Sequence, residues 1–216
     1  QHIMVATRSL KRELAEQGLG QTMMWERGVD HALFHPDRTP HPDFAGLARP
    51  IQLYVGRVAV EKNIEAFLEA RHPGTKVIVG DGPALDDLRT RFPDVRFLGK
   101  LGGERLAGAY AGADVFVFPS RTDTFGLVVI EALSCGTPVA AYPVAGPADI
   151  VTDDAGALDT NLDRAIALAL TRDPARAAAL GQRYSWPNCT RQFLRALTFV
   201  PAESASAPAT VSARLV

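Results

Sequence analysis

FPSRTDTFGLVVIEALSCGTPV, Phe118 to Val139, is the stretch whose reading decides the fold. A short apolar run, Asp114 to Phe118 (DVFVF), stops at Pro119. A polar loop follows, and then an apolar helical stretch, expected over Phe125 to Cys135. A strand without polar alternation is one covered on both faces, the mark of a parallel sheet. The loop therefore leaves the carboxyl end of a parallel strand, where open α/β sheets bind their ligands. Asp123 or Thr124 is expected to cap the helix, leaving the amides of Phe125, Gly126 and Leu127 facing outward. Free N–H groups and the helix dipole together suit a phosphate, and Gly126 has no side chain to shield it. Glu131 lies eight residues beyond Asp123, about two helical turns on and on nearly the same face. Two carboxylates flanking a phosphate-sized gap suit hydroxyl groups on either side of a diphosphate. The plainer alternative is a capped helix with a Glu on its solvent side.

Outward from this stretch the pattern repeats. Strands are expected at Ile51 to Gly56, Lys76 to Gly80, Val95 to Gly99 and Pro138 to Ala141. The helices between them are expected at Asn63 to Arg71, Ala84 to Arg91 and Glu104 to Ala111. Alternation at this spacing predicts an α/β fold with a Rossmann-like, doubly wound parallel sheet of five or six strands, too few for a TIM barrel. The first thirty residues read as a helix (Ser9 to Gln17), a Gly-rich turn and one strand (Thr22 to Trp25). Leu33 to Arg49 is a Pro- and His-rich connector. After Val151 the chain is expected to be helical: Asn161 caps Leu162 to Thr171, Pro174 starts a second helix and Trp186 to Leu197 forms a third. Pro201 to Val216 is Ala- and Ser-rich without periodicity and is expected to be disordered.

The composition excludes several classes. Across 216 residues, 47% are hydrophobic, 22% are charged and the formal net charge is −1. That balance offers no electrostatic hold on nucleic acid or on an anionic bilayer. No apolar run approaches the ~20 residues of a membrane span. Cys135 and Cys189 form neither a metal nor a disulfide pattern and fit a reducing cytosol. His31, His35 and His41 fall in the connector and are expected to be solvated, not ligands. The chain opens at Gln1 inside what reads as structured sequence, and a fragment is the expectation.

A second motif changes the weight of the first. In YVGRVAVEKNIEAF, Tyr54 to Phe67, a strand ends at Val55, Gly56 turns the chain, and Arg57 and Lys62 surround the next helix start. Two cations at another strand's carboxyl end can clamp a diphosphate, Arg through its planar fork and Lys as a point charge. GRVAVEKN and DTFGLVVIEALSCGTPV together closely resemble the signature of retaining glycosyltransferases of family 4, a G-R-x4-K clamp followed by an E-x7-E motif. VIVGDGP (Val77 to Pro83), VRFLGKL (Val95 to Leu101) and GADVFVFPS (Gly112 to Ser120) match the units between them. The resemblance covers about Ser9 to Leu197.

That resemblance implies the C-terminal, donor-binding half of a GT-B architecture with trailing helices. Residues 1–30 would end the acceptor-side domain and cross over, 31–50 would connect, 51–200 would bind the nucleotide sugar, and 201–216 would form the tail. Arg57 and Lys62 would neutralise the donor diphosphate, with Gly56 admitting it. Thr124 and the amides of Phe125, Gly126 and Leu127 would bind phosphate and sugar oxygens. Glu131 would accept from the ribose hydroxyls, backbone around Gly99, Lys100 and Leu101 would meet the base, and Asp123 would contact the transferred sugar. Arg57, Lys62 and Asp123 are the expected catalytic residues. The donor would be UDP- or GDP-linked, with no metal, no other cofactor and no nucleic-acid partner. The partner would be the missing N-terminal domain, through which a cytoplasmic enzyme could touch the inner face of a membrane. Without that domain the chain is expected to transfer sugar poorly or not at all.

Two departures stand out. Asp123 replaces the family's usual Glu, shortening its reach by roughly 1.5 Å, one C–C bond. AGPADIV, Ala145 to Val151, lacks the family's paired glycines, and Asp149 stands near their Glu with an expected structural role. The rival readings are a dinucleotide oxidoreductase, a GT-B-fold nucleotide-sugar epimerase, a glycosyl phosphorylase and a non-catalytic nucleotide-binding module. The first is weak because VGDGPAL lacks the third glycine and has Lys100 where an acid belongs. The phosphorylase needs a pyridoxal-phosphate lysine in a setting the sequence does not show.

Overall fold

The computed structural model describes residues 3–197; the tail expected to be disordered, 201–216, lies outside them. The chain opens with β1 (Ile3–Val5), α1 (Arg8–Glu16) and β2 (Thr22–Met24), and β1 pairs with β2 in parallel. The Thr7 side chain caps α1 by accepting the amide of Leu10 at 3.2 Å. β1 was not expected from the sequence, because three residues at the chain start give no period to read. An irregular stretch with a 3-10 turn at Pro42–Phe44 leads to the main body.

There the alternation is regular. β3 (Ile51–Val55) is followed by α2 (Ile64–Leu68), β4 (Thr75–Val79) by α3 (Leu85–Arg91), and β5 (Arg96–Gly99) by α4 (Gly103–Gly112). β6 (Val115–Phe118) leads to α5 (Leu127–Ser134), β7 (Val139–Ala141) to α6 (Pro147–Ile150), and β8 (Gly156–Leu158) to α7 (Leu162–Ala169), α8 (Pro174–Gly181) and α9 (Trp186–Ala196). Asn161, Asp173 and Ser185 cap the last three through their side chains, as Ser, Asp and Asn do at helix starts. β8 interrupts a region expected to be all helical; Gly-Ala-Leu carries no β-branched residue to announce a strand.

All pairings in the large sheet are parallel, and the strand order is β5-β4-β3-β6-β7-β8. Counted within that sheet, this is 3-2-1-4-5-6, the doubly wound arrangement with its reversal between β3 and β6. Successive side chains of β3 serve opposite faces, as strand geometry requires. Ile51, Leu53 and Val55 pack with Tyr110, Phe116, Ile130 and Leu133 on one side; Tyr54 packs with Ile64, Phe67 and Ile166 on the other. Gln52 is fully buried on the second face, and its amide donates to the carbonyls of His72 and Pro73 at 3.2 and 2.9 Å.

Three local expectations are corrected. α2 starts one residue late, because Asn63 adopts a left-handed φ of 54° after a 3-10 turn at Val60–Lys62, and it ends at Leu68 with Glu69 as its C-cap, short of Arg71. Neither Asp123 nor Thr124 caps α5; Gly126 does, at φ 84°, and the helix begins at Leu127. His41 is not solvated: it is 2% exposed, its Nδ1 accepts the amide of Asp43, and Arg105 lies 3.3 Å from its Nε2. Burial is the main reason its pKa falls below the ordinary histidine value.

Candidate functional site

The reversal between β3 and β6 leaves a crevice at the carboxyl ends of both strands, since their following loops diverge. Asn63 bridges the two loops by donating from its side-chain amide to the Pro119 carbonyl at 3.0 Å. Close backbone stitching holds the β3 loop against β4. The amide of Gly56 donates to Val79 O at 3.0 Å, Val58 N donates to Asp81 O at 2.9 Å, and Gly80 N donates to Gly99 O at 2.8 Å. Gly80 sits at φ 142°, and a Cβ there would lie 1.8 Å from the Gly56 carbonyl oxygen. The glycines of VGDGPAL are thus consumed by loop-to-loop approach, which removes what remained of the dinucleotide reading.

Within the crevice, Lys62 Nζ donates to Asp123 Oδ1 at 2.7 Å, and each side chain is about a quarter exposed. Asp123 Oδ2 is buried without a partner among the described residues, and so is the Ser120 hydroxyl. Arg57 is two-thirds exposed and, among the described residues, pairs only with Glu61, at 3.2 Å. Below them, the Tyr54 hydroxyl donates to Arg57 O at 2.9 Å. Burial first, then the charges of Asp123 and Glu61, push that phenol far above its usual range and keep it a neutral donor. The amides of Phe125, Gly126 and Leu127 donate to nothing among the described residues. They are orphan donors of a helix start, free because no side chain caps α5.

Two adjoining cavities occupy the crevice. One, of about 450 Å³, is lined by Gly56, Arg57, Lys62 and the run from Asp123 to Val128. The other, of about 520 Å³, is lined by Gly80 to Gly82, Lys100 and Leu101. Val55, Gly56 and Arg57 line both. Ten of the twelve residues singled out from sequence therefore line this pair of cavities. Gly99 does not; its carbonyl is spent on Gly80. Glu131 does not either. It sits half-buried in α5, where the Tyr110 hydroxyl donates to its Oε2 at 2.9 Å. Burial pushes the Glu131 carboxyl above the usual carboxylate range, and the Tyr110 hydrogen bond pulls it partly back. Asp123 and Glu131 are not two turns apart on one helix face, because the helix starts only four residues before Glu131.

Sequence reasoning missed Tyr54, Ser120 and Tyr110. The first two lie inside quoted motifs beside residues that were chosen, and only their buried placement singles them out. Tyr110 ends an ordinary amphipathic helix and gives no local signal. Asp149 takes the structural part expected of it: its carboxylate accepts the Ser9 amide at 3.1 Å, tying α6 to α1. Among the described residues, no group of three or more His, Cys, Asp or Glu side chains is placed to hold a metal ion, and no helix is long and apolar enough to cross a membrane.

A doubly wound sheet with its crevice at this reversal, lined by a cation pair and uncapped amides, places the chain among the α/β proteins of the GT-B glycosyltransferase fold. Residues 49–174 match the glycosyl transferases group 1 family, and the chain belongs to it. It is 39% identical over 153 residues to a GDP-mannose-dependent alpha-mannosyltransferase of Corynebacterium glutamicum, covering 68% of this chain and 37% of that one. It is 38% identical over 144 residues to a sulfoquinovosyl transferase of Arabidopsis thaliana, covering 62% and 28% respectively. The sucrose-phosphate synthase of Thermosynechococcus elongatus superposes with a TM-score of 0.70 at 30% identity, covering 89% of this chain and 56% of that one. The chain thus spans about a third of the length of the curated relatives it matches.

Proposed function

We propose that this chain is the donor-binding part of a glycosyltransferase that transfers a hexose from a nucleotide diphosphate sugar to an acceptor with retention of anomeric configuration. The observation that carries it is the pair of adjoining cavities meeting at Val55, Gly56 and Arg57. One offers cations and free amides to a diphosphate; the other offers backbone-lined space to a base. Arg57, Lys62 and the start of α5 stabilise the charge that builds on the leaving diphosphate, the contribution such a site makes most strongly. Asp123 orients the transferred sugar and the departing phosphate oxygen takes the acceptor's proton; Glu131, outside the lining of both cavities and already accepting from Tyr110, is assigned the ribose on the family motif alone. GDP-mannose is the leading donor, supported by the GDP-mannose-dependent relative; UDP-linked sugars are the alternative.

On this reading no metal is required, and the acceptor is bound by a second domain without which transfer is slow. The parallel pair β1–β2 supports that part. Two strands are marginal alone, and parallel sheets are normally covered on both faces. Titration of the chain with GDP, UDP and ADP by calorimetry tests the proposal. GDP is expected to bind best, with affinity unchanged by a chelator and weakened in Arg57→Ala. No binding of any of the three at millimolar concentration, together with no effect of the substitution, sinks it.

A further inference from the structure

A second cleft lies beside the first. Ala6 and Arg27 line the 450 Å³ cavity, while their near neighbours Arg8 and Glu26 line a groove of about 440 Å³ between α1 and α9. Four arginines line it from three places: Arg8 on α1, Arg183 between α8 and α9, and Arg191 and Arg195 on successive turns of α9, with Arg191 also donating to Asn188 Oδ1. None of the four forms an ion pair with a carboxylate among the described residues. The groove also carries two acids, outnumbered by the arginines and each bonded to a neutral donor. Asp149 accepts the Ser9 amide, and Glu26 Oε2 accepts from Gln192 Nε2 at 2.8 Å. In a chain of net charge −1, four unpaired cations around one concavity are a local exception.

We propose that this groove binds a phosphate-bearing molecule. The Arg fork matches phosphate oxygens two at a time, where a lysine would offer only a point charge. A volume of about 440 Å³ falls within the range of small-molecule sites, roughly 300–1,000 Å³. Tyr184 lines the same space. Burial, followed by the charge of Glu26, pushes its hydroxyl up to about 12, so it remains a donor at neutral pH. The groove adjoins the donor crevice, with the rings of Tyr184 and Phe125 6.3 Å apart, but shares no lining residue with its diphosphate cavity and does not depend on that reading.

The test is calorimetric titration of the full chain with glycerol 3-phosphate and with inorganic phosphate, for the wild type, Arg191→Gln with Arg195→Gln, and Arg57→Ala. All the substituted side chains are exposed; should the α9 double variant melt early, Arg8→Gln replaces it. Binding that weakens about tenfold in the α9 variant, the loss of one charge-assisted contact or more, and holds in Arg57→Ala supports the groove. Absence of millimolar binding, or loss in Arg57→Ala alone, overturns it. Co-sedimentation with phosphatidylcholine vesicles, with and without phosphatidylglycerol, separates the two sources of phosphate. Binding that needs phosphatidylglycerol and the α9 arginines makes the ligand a lipid headgroup; glycerol 3-phosphate binding without vesicle binding makes it a soluble compound.

Discussion

The two carboxylates of the D-x7-E motif occupy opposite electrostatic settings. Asp123 lies in the loop after β6, a quarter exposed, and shares its charge with the Lys62 ammonium at 2.7 Å. Glu131 lies in the body of α5, half-buried, and its partner is the neutral hydroxyl of Tyr110 at 2.9 Å. At the loop end a cation faces the carboxylate; at the helix end burial opposes ionisation. On the proposed reading the loop end exchanges partners, with Lys62 leaving Asp123 for a phosphate oxygen when a diphosphate arrives. The helix end is built to hold one acceptor in place.

Removing a cation breaks the loop end most severely. In Lys62→Ala, nucleoside diphosphate binding loses a charge-assisted contact of about 1.5–3 kcal/mol, roughly a 10- to 150-fold weakening by calorimetry. The same change leaves Asp123 partly buried with neither oxygen bonded, so the melting temperature should fall as well. Arg57→Ala is the control. Its pair with Glu61 is exposed and contributes little to stability. Affinity should drop to a similar degree while the melting temperature stays put. Equal melting shifts in the two variants would mean that Lys62 is not the loop's electrostatic anchor.

Asp123→Asn sharpens the contrast in the other direction. It frees Lys62 from an internal competitor and removes a negative charge from the cavity wall. A partly exposed pair of this kind is worth on the order of 1 kcal/mol, so GDP should bind up to about fivefold tighter by calorimetry. The intact sugar donor should gain less, because the hydroxyl contacts proposed for Asp123 weaken. A looser GDP complex would show that Asp123 positions Lys62 instead of competing for it.

The sequence-chosen residues that the structure brings together share a physical reason. Strand-terminal loops of a parallel sheet converge by topology, so Arg57, Lys62, Lys100 and Asp123 fall on one sheet edge once the order β5-β4-β3-β6 is known. Hydrophobic runs and turn residues announce the strands and the doubly wound class; the order itself comes from the structure. What escaped depends on single backbone torsions. Gly126 at φ 84° delays α5 by two residues, and that delay removes Asp123 as a cap and shifts Glu131 off its expected face. A glycine's sign of φ leaves no trace in composition or period. Tyr110 escaped for a different reason: it reaches Glu131 across a separation of 21 residues, and tertiary proximity of that kind has no local signature.

The helix end is tested most gently, through pH. Tyr110→Phe removes the hydrogen bond that opposes burial, so the Glu131 carboxyl should titrate higher in the variant than in the wild type, where it is already raised. Because the folded-state pKa exceeds the unfolded one, the folded protein binds the extra proton in the window between them. Stability contributed by Glu131 is therefore present at low pH and is lost as pH rises through the folded pKa. The variant's deficit relative to wild type should be small in acid, about 1 kcal/mol for a neutral hydrogen bond, and larger at neutral pH in denaturant melts. Ligand binding has the opposite slope, since the ribose hydroxyls are proposed to bond the carboxylate form. GDP affinity should fall on acidification in both proteins, beginning at a higher pH in Tyr110→Phe. A parallel pair of pH profiles would place Glu131 outside the nucleotide contact, leaving the loop end as the donor site's sole charged determinant.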